Sequence, residues 1–246
     1  MTGRLSFRAV TRTDRGAVRQ TNQDALFVST ERPLWAVADG MGGHEGGEIA
    51  SACVVEALDN ADFSCLSLED AARNAIAKAN SVLVARNSRR SPPGNMGTTV
   101  ALLGIDGARS FCLWAGDSRI CLLRQGTFQQ LTRDHTYIEE LLESGALTRS
   151  EAERHPHRHM ITRAIGIAEH AGLESCRGDL RSEDTFILMT DGVSGVCREH
   201  EIANAMAATD LNSVADELAA RCIKAGAPDN FSFILVRAAQ TDTSYS

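Results

Sequence analysis

One stretch of this chain, residues 34–47, sets the strongest constraint on how it can fold. It reads LWAVADGMGGHEGG: a short apolar run, then Asp39, then a loop with five glycines, and a helix is predicted from about Glu48. A strand, a glycine-rich loop and a helix let a bound group approach the backbone closely. That group can be a cation or a phosphate, and a plain turn with a solvated aspartate fits equally well.

The positions of the glycines disfavour the phosphate. A Gly-x-Gly-x-x-Gly pattern would need glycine at position 45, where Glu45 stands, and no Gly-x-x-x-x-Gly-Lys-Ser/Thr pattern is present. Asp39 and Glu45 would also repel a pyrophosphate. A hard divalent cation, in contrast, takes both carboxylate and backbone carbonyl oxygens as ligands.

The overall composition excludes several classes of protein. The chain has 246 residues and a formal net charge of -7, which fits one large domain or two small ones and makes nucleic acid an unfavourable partner. It has no apolar stretch of membrane-spanning length and no signal peptide, so no membrane association is expected. The seven cysteines are scattered without a C-x-x-C pair, which favours free thiols in the cytoplasm over disulfides or zinc ligands.

The periodicity of apolar residues predicts a chain of mixed strands and helices. Strands are predicted at 5–12, 25–29, 34–38, 98–105, 110–115, 119–124, 128–132, 172–177, 185–190 and 231–236. Helices are predicted at 45–59, 71–86, 137–144, 149–154, 199–207 and 211–224. Short turns join the four strands between 98 and 132, which predicts an antiparallel meander and argues against a nucleotide-binding βαβ series.

Acidic residues recur at the ends of these strands. Asp39, Asp117 and Asp191 each follow an apolar strand with glycine beside them, while Asp24 begins a strand and Asp229 precedes one. A single Asp-Gly is ordinary turn chemistry, but several carboxylates in one cleft would repel one another unless cations lie between them. Ligation by oxygen alone favours Mg²⁺ or Mn²⁺ over zinc. Two such ions about 4 Å apart suit an in-line displacement at phosphorus.

Other metal and phosphatase chemistries fit less well. Cys112 and Arg119 are separated by six residues rather than the five of a cysteine phosphatase, and neither D-x-D nor G-x-S-x-G is present. Histidines at 155, 157 and 159 have the spacing of a zinc site, but they lie among arginines without an acidic or thiol partner. We interpret that segment as a basic surface.

Eight stretches, taken in order, resemble one known family. They are TDRGAVRQTNQDA (13–25), VADGMGGHEGGEIAS (37–51), MGTTV (96–100), WAGDSRI (114–120), LTRDHT (131–136), ITRAIG (161–166), LMTDGV (188–193) and PDNFSFILV (228–236). The chain resembles the metal-dependent serine/threonine protein phosphatases of type 2C, in their compact bacterial form, over about residues 5–238.

The resemblance implies an α+β fold, a four-layer αββα sandwich of two antiparallel sheets flanked by helices, with a metal centre at one end. It implies one catalytic domain at 1–238 with a flap at about 136–166, and we expect a disordered tail at 239–246. Two core Mn²⁺ or Mg²⁺ ions are implied, together with a third.

The resemblance also assigns metal-binding roles to individual residues: Asp24, Asp39, Gly40, Asp117, Asp191 and Asp229. In the family pattern Asp39 bridges both core ions and Gly40 contributes its carbonyl, while Asp191 and Asp229 bind one core ion. Asp24 holds a metal-bound water.

Three further positions carry the remaining expectations. Asp117, together with Asp191, matches the third-ion site. From local sequence alone Arg19 is an exposed surface arginine, but in the family pattern it binds the substrate phosphate. Met41 stands where many eukaryotic relatives carry a proposed general-acid histidine, so the proton donor is either His44 or a metal-bound water.

The sequence therefore predicts a phosphatase of phosphoserine and phosphothreonine in proteins, acting through metal-activated water. Such bacterial relatives oppose a serine/threonine kinase and act on it or on its phosphothreonine-reading targets, and we expect a cytoplasmic monomer. One alternative is a catalytically inactive phosphoprotein-binding module of the same fold, which would be expected to have lost metal ligands. Another is a nucleotide-binding enzyme using the glycine loop, which Asp39 disfavours.

Overall fold

Two antiparallel β-sheets form the centre of the molecule, which we describe from a computed structural model covering residues 5–43, 45–89, 94–152 and 154–240. The strands are β1 (Leu5–Asp14), β2 (Asp24–Val28), β3 (Leu34–Met41), β4 (Gly97–Thr98), β5 (Val100–Asp106), β6 (Arg109–Ala115), β7 (Arg119–Arg124), β8 (Thr127–Gln130), β9 (Glu174–Asp179), β10 (Thr185–Met189) and β11 (Phe231–Gln240). The helices are α1 (Gly46–Asp59), α2 (Leu68–Ser88), α3 (Tyr137–Glu143), α4 (Arg149–Ala152), α5 (Asp191–Ser194), α6 (Glu199–Met206) and α7 (Leu211–Lys224).

The strands divide between a first sheet, ordered β1-β11-β10-β7-β8, and a second sheet, ordered β2-β3-β5-β6-β9, with β4 pairing with β3. Residues such as Trp35, Leu103 and Ile234 are buried in the layer between the sheets. Helices α1 and α2 cover the outer face of the second sheet, and α6 and α7 cover that of the first. The predicted αββα sandwich is confirmed.

The apolar runs of the sequence are explained by burial on both faces of the central strands. In β10, Phe186 and Leu188 belong to the layer between the sheets, whereas Ile187 and Met189 belong to the layer under α6 and α7. A strand covered on both faces reads as a continuous apolar run rather than an alternating one. Each such side chain contributes about 1.5–3 kcal/mol when it is fully buried.

The predicted meander between 98 and 132 is wrong at one position. β5 and β6 pair in the second sheet, but β7 and β8 pair in the first, so the chain crosses between the sheets at 116–118. Gly116 has φ +107°, and a Cβ there would lie 2.5 Å from Thr99 Cγ2. The short turn looks like a hairpin in sequence, but it passes from one sheet to the other at Gly116, which packs closely against Thr99, with Asp117 in the crossing.

Some element ends agree with the predictions and others differ. The Ser67 cap of α2 forms as its S-x-x-D signal indicates, because the Asp70 amide donates to Ser67 Oγ at 3.1 Å. The short helix α5, which opens with Asp191, is not predicted. β11 continues through Gln240 by pairing with Leu5, so the disordered tail predicted from 239 is wrong at Ala239 and Gln240, and residues 241–246 lie outside the described residues.

The flap predicted at 136–166 is the segment that contains α3 and α4. Isolated bridges pair Thr136 with Ile161 and Thr98 with Ile165, so both ends of the segment are fastened beside the sandwich. None of the described helices is both long and apolar enough to cross a bilayer. All seven cysteines are free thiols.

Candidate metal centre

Five aspartates from both sheets converge at one end of the sandwich. In the second sheet, Asp24 at the start of β2 lies directly opposite Asp39 near the end of β3. In the first sheet, Asp191 follows β10 and Asp229 precedes β11, and these two strands are antiparallel neighbours. Antiparallel pairing places the end of one strand beside the start of the next, and the crossing between the sheets adds Asp117.

The carboxylates are close enough to perturb one another. Burial raises the pKa of Asp39 well above its usual range, and the charges of Asp24, Asp191 and Asp117 raise it further. Burial, followed in size by repulsion from neighbouring carboxylates, also raises the pKa of Asp191. Burial likewise raises the pKa of Asp24 and of Asp117, each to about 7. Ionising all of these groups together is unfavourable unless positive charge is added.

One buried oxygen shows where a cation fits. Asp24 Oδ1 is buried without a hydrogen-bond partner among the described residues, while its Oδ2 accepts a hydrogen bond from Thr190 Oγ1 at 3.0 Å. A buried carboxylate oxygen without a donor costs free energy, and ionised neighbouring aspartates have no proton to donate. A divalent ion would satisfy this oxygen, and a donor set made only of oxygens suits Mn²⁺ or Mg²⁺.

The side chains do not by themselves complete a coordination sphere. In the part of the chain that the structure describes, no group of three or more His, Cys, Asp or Glu side chains is arranged to hold a metal ion. Mg²⁺ usually keeps several waters, and hard cations accept backbone carbonyls. An ion in this cleft would therefore take part of its coordination from water and from backbone oxygens.

Two buried threonines hold the backbone of Asp39. Its amide donates to Thr99 Oγ1 at 3.0 Å, and its carbonyl accepts from Thr98 Oγ1 at 2.9 Å and from the Thr99 amide at 2.8 Å. Thr99 Oγ1 also lies 2.6 Å from Ser118 Oγ, beside Asp117. These threonines therefore fix Asp39 relative to the crossing. In the sequence they stand out only as part of the MGTTV stretch.

In the glycine loop, the missing side chain of Gly40 leaves space for neighbouring backbone. A Cβ on Gly40 would lie 2.0 Å from the Gly47 carbonyl oxygen and 2.7 Å from that of Gln23. The Gly40 amide also donates to the Gln23 carbonyl at 3.1 Å. Glycine is required here because the start of α1, at Gly47, lies against the end of β3 and leaves no space for a side chain at position 40.

Arg19 borders this cleft and remains exposed, so local sequence alone indicates its exposure but not its partner. Its Nη2 donates to Asp229 Oδ2 at 2.5 Å, and its side chain is 53% exposed. That hydrogen bond, together with the charges of Asp39 and Asp191, raises the pKa of Arg19. A guanidinium that is held on one side by a carboxylate and open on the other can still reach a substrate phosphate.

Asn230 is a positioning residue that sequence reasoning missed. This buried side chain donates from Nδ2 to the carbonyls of Arg15 and Thr21, at 2.8 and 2.9 Å, and its Oδ1 accepts from the Gln23 amide at 2.9 Å. It thereby fastens the Arg19 loop beside Asp229. The only signal was an asparagine that directly follows a strand-end aspartate, and that pattern is also ordinary turn chemistry.

The histidine predictions have different outcomes. His44, the candidate proton donor, lies outside the described residues. In the flap, the rings of His155 and His157 lie 5.7 Å apart and close to Tyr137, and both belong to the basic segment interpreted as a surface. The charge of His159 lowers the pKa of Asp191, so the flap lies near the carboxylate cluster.

Comparison with known proteins gives a consistent result. A family model described as Protein phosphatase 2C matches residues 14–232. The serine/threonine protein phosphatase PstP of Mycobacterium tuberculosis is 34% identical over 94% of this chain, but the chain spans only 45% of the length of PstP. The serine/threonine phosphatase stp of Listeria welshimeri is 30% identical, and the match covers 92% of this chain and 93% of stp. The crystal structure of the PstP catalytic domain in complex with two manganese ions superposes with a TM-score of 0.86 at 32% identity, covering 96% of this chain and 100% of that one.

Proposed function

Because this chain belongs to the protein phosphatase 2C family, we propose that it is a metal-dependent phosphatase of phosphoserine and phosphothreonine in proteins. The observation that carries the proposal is the convergence of five aspartates from two sheets beside Arg19. Burial raises the pKa of four of them, and one carboxylate oxygen of Asp24 has no hydrogen-bond partner among the described residues. A binding module that held phosphoproteins without hydrolysing them would need the arginine but not this costly cluster of acids.

Two core Mn²⁺ or Mg²⁺ ions would be held by Asp39, Asp191 and Asp229, with the Gly40 carbonyl as a further ligand and Asp24 adjusting the outer coordination. Two ions in such a site activate water for attack on phosphorus and offset the charge on the phosphoryl oxygens. A third ion, which Asp117 and Asp191 would hold, is the finer part of the proposal. Its support is that burial and the charge of Asp191 raise the pKa of Asp117.

The residues of the chain itself bind and orient the substrate. Arg19 supplies a guanidinium with a planar fork of donors, which matches a phosphate through two parallel hydrogen bonds. Asp229 holds that guanidinium at the edge of the cleft. Placing a cation there also reduces the repulsion that the acids would exert on an incoming phosphate dianion.

The leaving oxygen of serine or threonine needs a proton, because an alkoxide is a poor leaving group. We propose His44, in the glycine loop, as the proton donor. The test compares His44→Ala on phosphoserine peptides and on aryl phosphates. The general-acid role requires a much larger loss on the peptides, and equal losses on both would exclude it.

The proposed biological setting follows from the same chemistry. The substrates are phosphorylated proteins, and we propose that they include a serine/threonine kinase and its phosphothreonine-reading targets. Seven free thiols support a reducing compartment such as the cytoplasm. We propose that the domain, residues 1–238, acts as a monomer, and light scattering on a sizing column tests this, since a dimer mass at assay concentration would contradict it.

The activity is tested by turnover of a phosphothreonine peptide after chelation with EDTA. We expect activity to be lost on chelation and restored by Mn²⁺ or Mg²⁺. Asp39→Asn should abolish turnover, whereas Asp216→Asn, an exposed aspartate on α7 paired with Arg12, should retain it. Undiminished turnover in metal-free buffer would contradict the proposal.

A further inference from the structure

His135 is a buried histidine at the base of the flap, on the segment between β8 and α3. Its ring is stacked on Trp114, with centroids 6.1 Å apart and an interplanar angle of 18°. Its backbone amide donates to the Gly116 carbonyl at 2.9 Å, and its carbonyl accepts from the Thr162 amide at 2.8 Å. One residue therefore connects the crossing between the sheets to the far end of the flap.

The imidazole makes a second contact with the same glycine. Its Nδ1 accepts the amide hydrogen of Gly116 at 3.2 Å, so the backbone and the ring of His135 hold both the carbonyl and the amide of Gly116. Each hydrogen bond restrains a peptide unit on one side of this residue. Together they fix the orientation from which the chain enters Asp117.

The partners of the other ring nitrogen, Nε2, favour the neutral tautomer in which Nδ1 can accept the Gly116 hydrogen bond. Because Nδ1 accepts, the ring proton belongs on Nε2, which lies 3.3 Å from Glu174 Oε1. Arg163 Nη1 donates to the same carboxylate oxygen at 2.7 Å and lies 3.4 Å from Nε2. Burial and the neighbouring charge of Arg163 lower the pKa of His135, which maintains the neutral ring that acceptance at Nδ1 requires.

Gly116 lies in a confined part of the fold. Its φ of +107° is unfavourable for side-chain-bearing residues, and a Cβ there would lie 2.5 Å from Thr99 Cγ2. The His135 side chain is 2% exposed, so removing the ring acceptor would leave the Gly116 amide in a site that water does not easily reach.

We propose that His135, oriented by Glu174, is a positioning residue that fixes the Gly116–Asp117 turn and couples it to the flap. The inference deepens the proposed function, since it rests on Asp117 as a ligand of the third ion. It adds that the geometry of that ligand is set by an imidazole which is itself tied to the flap at Thr162.

The test compares His135→Asn with His135→Leu in the otherwise unaltered chain. The amide oxygen of asparagine can replace Nδ1 as the acceptor, whereas leucine retains apolar bulk against Trp114 but offers no acceptor. Hydrogen exchange of the Gly116 amide, followed by NMR in metal-free protein, should be at least about 10-fold faster in His135→Leu, since an open amide exchanges more readily. In His135→Asn it should remain near the wild-type rate.

A second readout connects the turn to the metal site. Calorimetric titration with Mn²⁺ should show two core ions in every variant and a weakened third ion in His135→Leu alone, with kcat on a phosphopeptide falling in parallel. Arg177→Ala is the matched control, because Arg177 lies on β9 three residues from Glu174 and pairs with Glu69 on the outer face. It should leave the exchange rate and the metal titration unchanged.

The exchange measurement separates this inference from the proposed function, because it needs neither metal nor turnover. Wild-type Gly116 exchange in folded His135→Leu would overturn the inference, and so would equal acceleration in the asparagine and leucine variants. If His135→Leu does not fold, Glu174→Ala replaces it. Freeing the ring should then accelerate Gly116 exchange several-fold, and an unchanged rate would contradict the positioning role.

Discussion

At the scale of single residues, the site combines carboxylates that repel one another with side chains that offset part of this repulsion. Asp24 accepts one hydrogen bond from Thr190, yet its other oxygen has no partner in the described structure. Arg19 forms an ion pair with Asp229. Residues chosen for stability alone would not be arranged in this way, because the cluster opposes folding until a cation is bound.

The Asp24→Asn variant should separate stability from function. Removing one negative charge from the cluster should raise the melting temperature of the metal-free protein, while Mn²⁺ affinity and turnover both decrease. Thermal unfolding in EDTA and calorimetry with Mn²⁺ measure these changes, and Asp216→Asn on the surface of α7 is the control. A lower melting temperature in EDTA would show that the repulsion is not the dominant effect at this position.

Asp117→Ala should fold, retain two bound ions and hydrolyse phosphopeptides about 100-fold more slowly, which corresponds to roughly 2.7 kcal/mol of transition-state stabilisation. The reason is that the core carboxylates remain, while the proposed third ion would lose a ligand. Steady-state kinetics at saturating Mn²⁺ measure the loss. The control is Asp106→Ala, an exposed aspartate at the end of β5 beside Gly107. Turnover by Asp117→Ala as fast as that of the control would indicate that Asp117 only stabilises its turn.

Arg19→Ala should raise KM for a phosphopeptide by about 10- to 100-fold, as expected from losing hydrogen bonds between charged groups. Core-metal affinity should not decrease, because the variant frees Asp229 from its ion pair. Arg15→Ala, in the same loop but directed to the Gln20 carbonyl, is the matched control. Loss of Mn²⁺ binding together with KM would indicate a structural role for Arg19 instead.

At the scale of elements, one face of α2 anchors the end of the flap. Asn80 and Asn87 are seven residues apart, two turns of helix, and both are buried. Asn80 donates to the Ala168 carbonyl at 3.0 Å and accepts from the Gly166 amide at 2.7 Å. Asn87 donates to the carbonyls of Met96 and Gly166, at 2.8 and 2.9 Å, and accepts from the Met96 amide at 3.0 Å. The helix thus supplies hydrogen bonds that these irregular segments cannot make by themselves.

Asn87→Ala should therefore lower the free energy of unfolding by about 3 kcal/mol, since it leaves buried backbone groups of Met96 and Gly166 without partners. Ser88→Ala is the matched control on the exposed side of the same helix, and its effect should stay within about 0.5 kcal/mol. Urea unfolding of the metal-free proteins measures both. A loss below about 1 kcal/mol for Asn87→Ala would mean that water or rearranged backbone replaces these hydrogen bonds.

At the scale of the whole molecule, folding brings acids from two sheets together and so links stability to pH and metal. Asp24 and Asp117 have folded-state pKa values of about 7, above the value of about 3.9 for an unfolded aspartate. Between those values the folded state binds more protons than the unfolded state. The contribution of these two carboxyl groups to the free energy of unfolding is therefore fully present below about pH 4. It is lost as the pH rises through about 7.

In EDTA, the melting temperature should accordingly fall between about pH 4.5 and pH 7, and the stabilisation by Mn²⁺ should grow over the same interval. Surface carboxylates such as Asp62 and Glu201 have lowered pKa values, so they act mainly below this window. Melting curves with and without Mn²⁺ test the prediction, and Asp24→Asn should flatten the slope in EDTA. A melting temperature that rises with pH in EDTA would contradict it.

Most of the elements and most of the candidate ligands are predictable from the amino-acid sequence, because apolar periodicity, caps and strand-end acids are local signals. β7 and α7 match their predicted ranges at 119–124 and 211–224, and the eight ordered stretches identified the family. The folded structure is needed to show that the chain changes sheets at Gly116, that Arg19 pairs with Asp229, and that Asn230 and His135 form hydrogen bonds to the loops of the site. These features depend on hydrogen bonds between residues up to 215 positions apart, and the partner in such a bond is selected by packing rather than by any pattern in the neighbouring sequence.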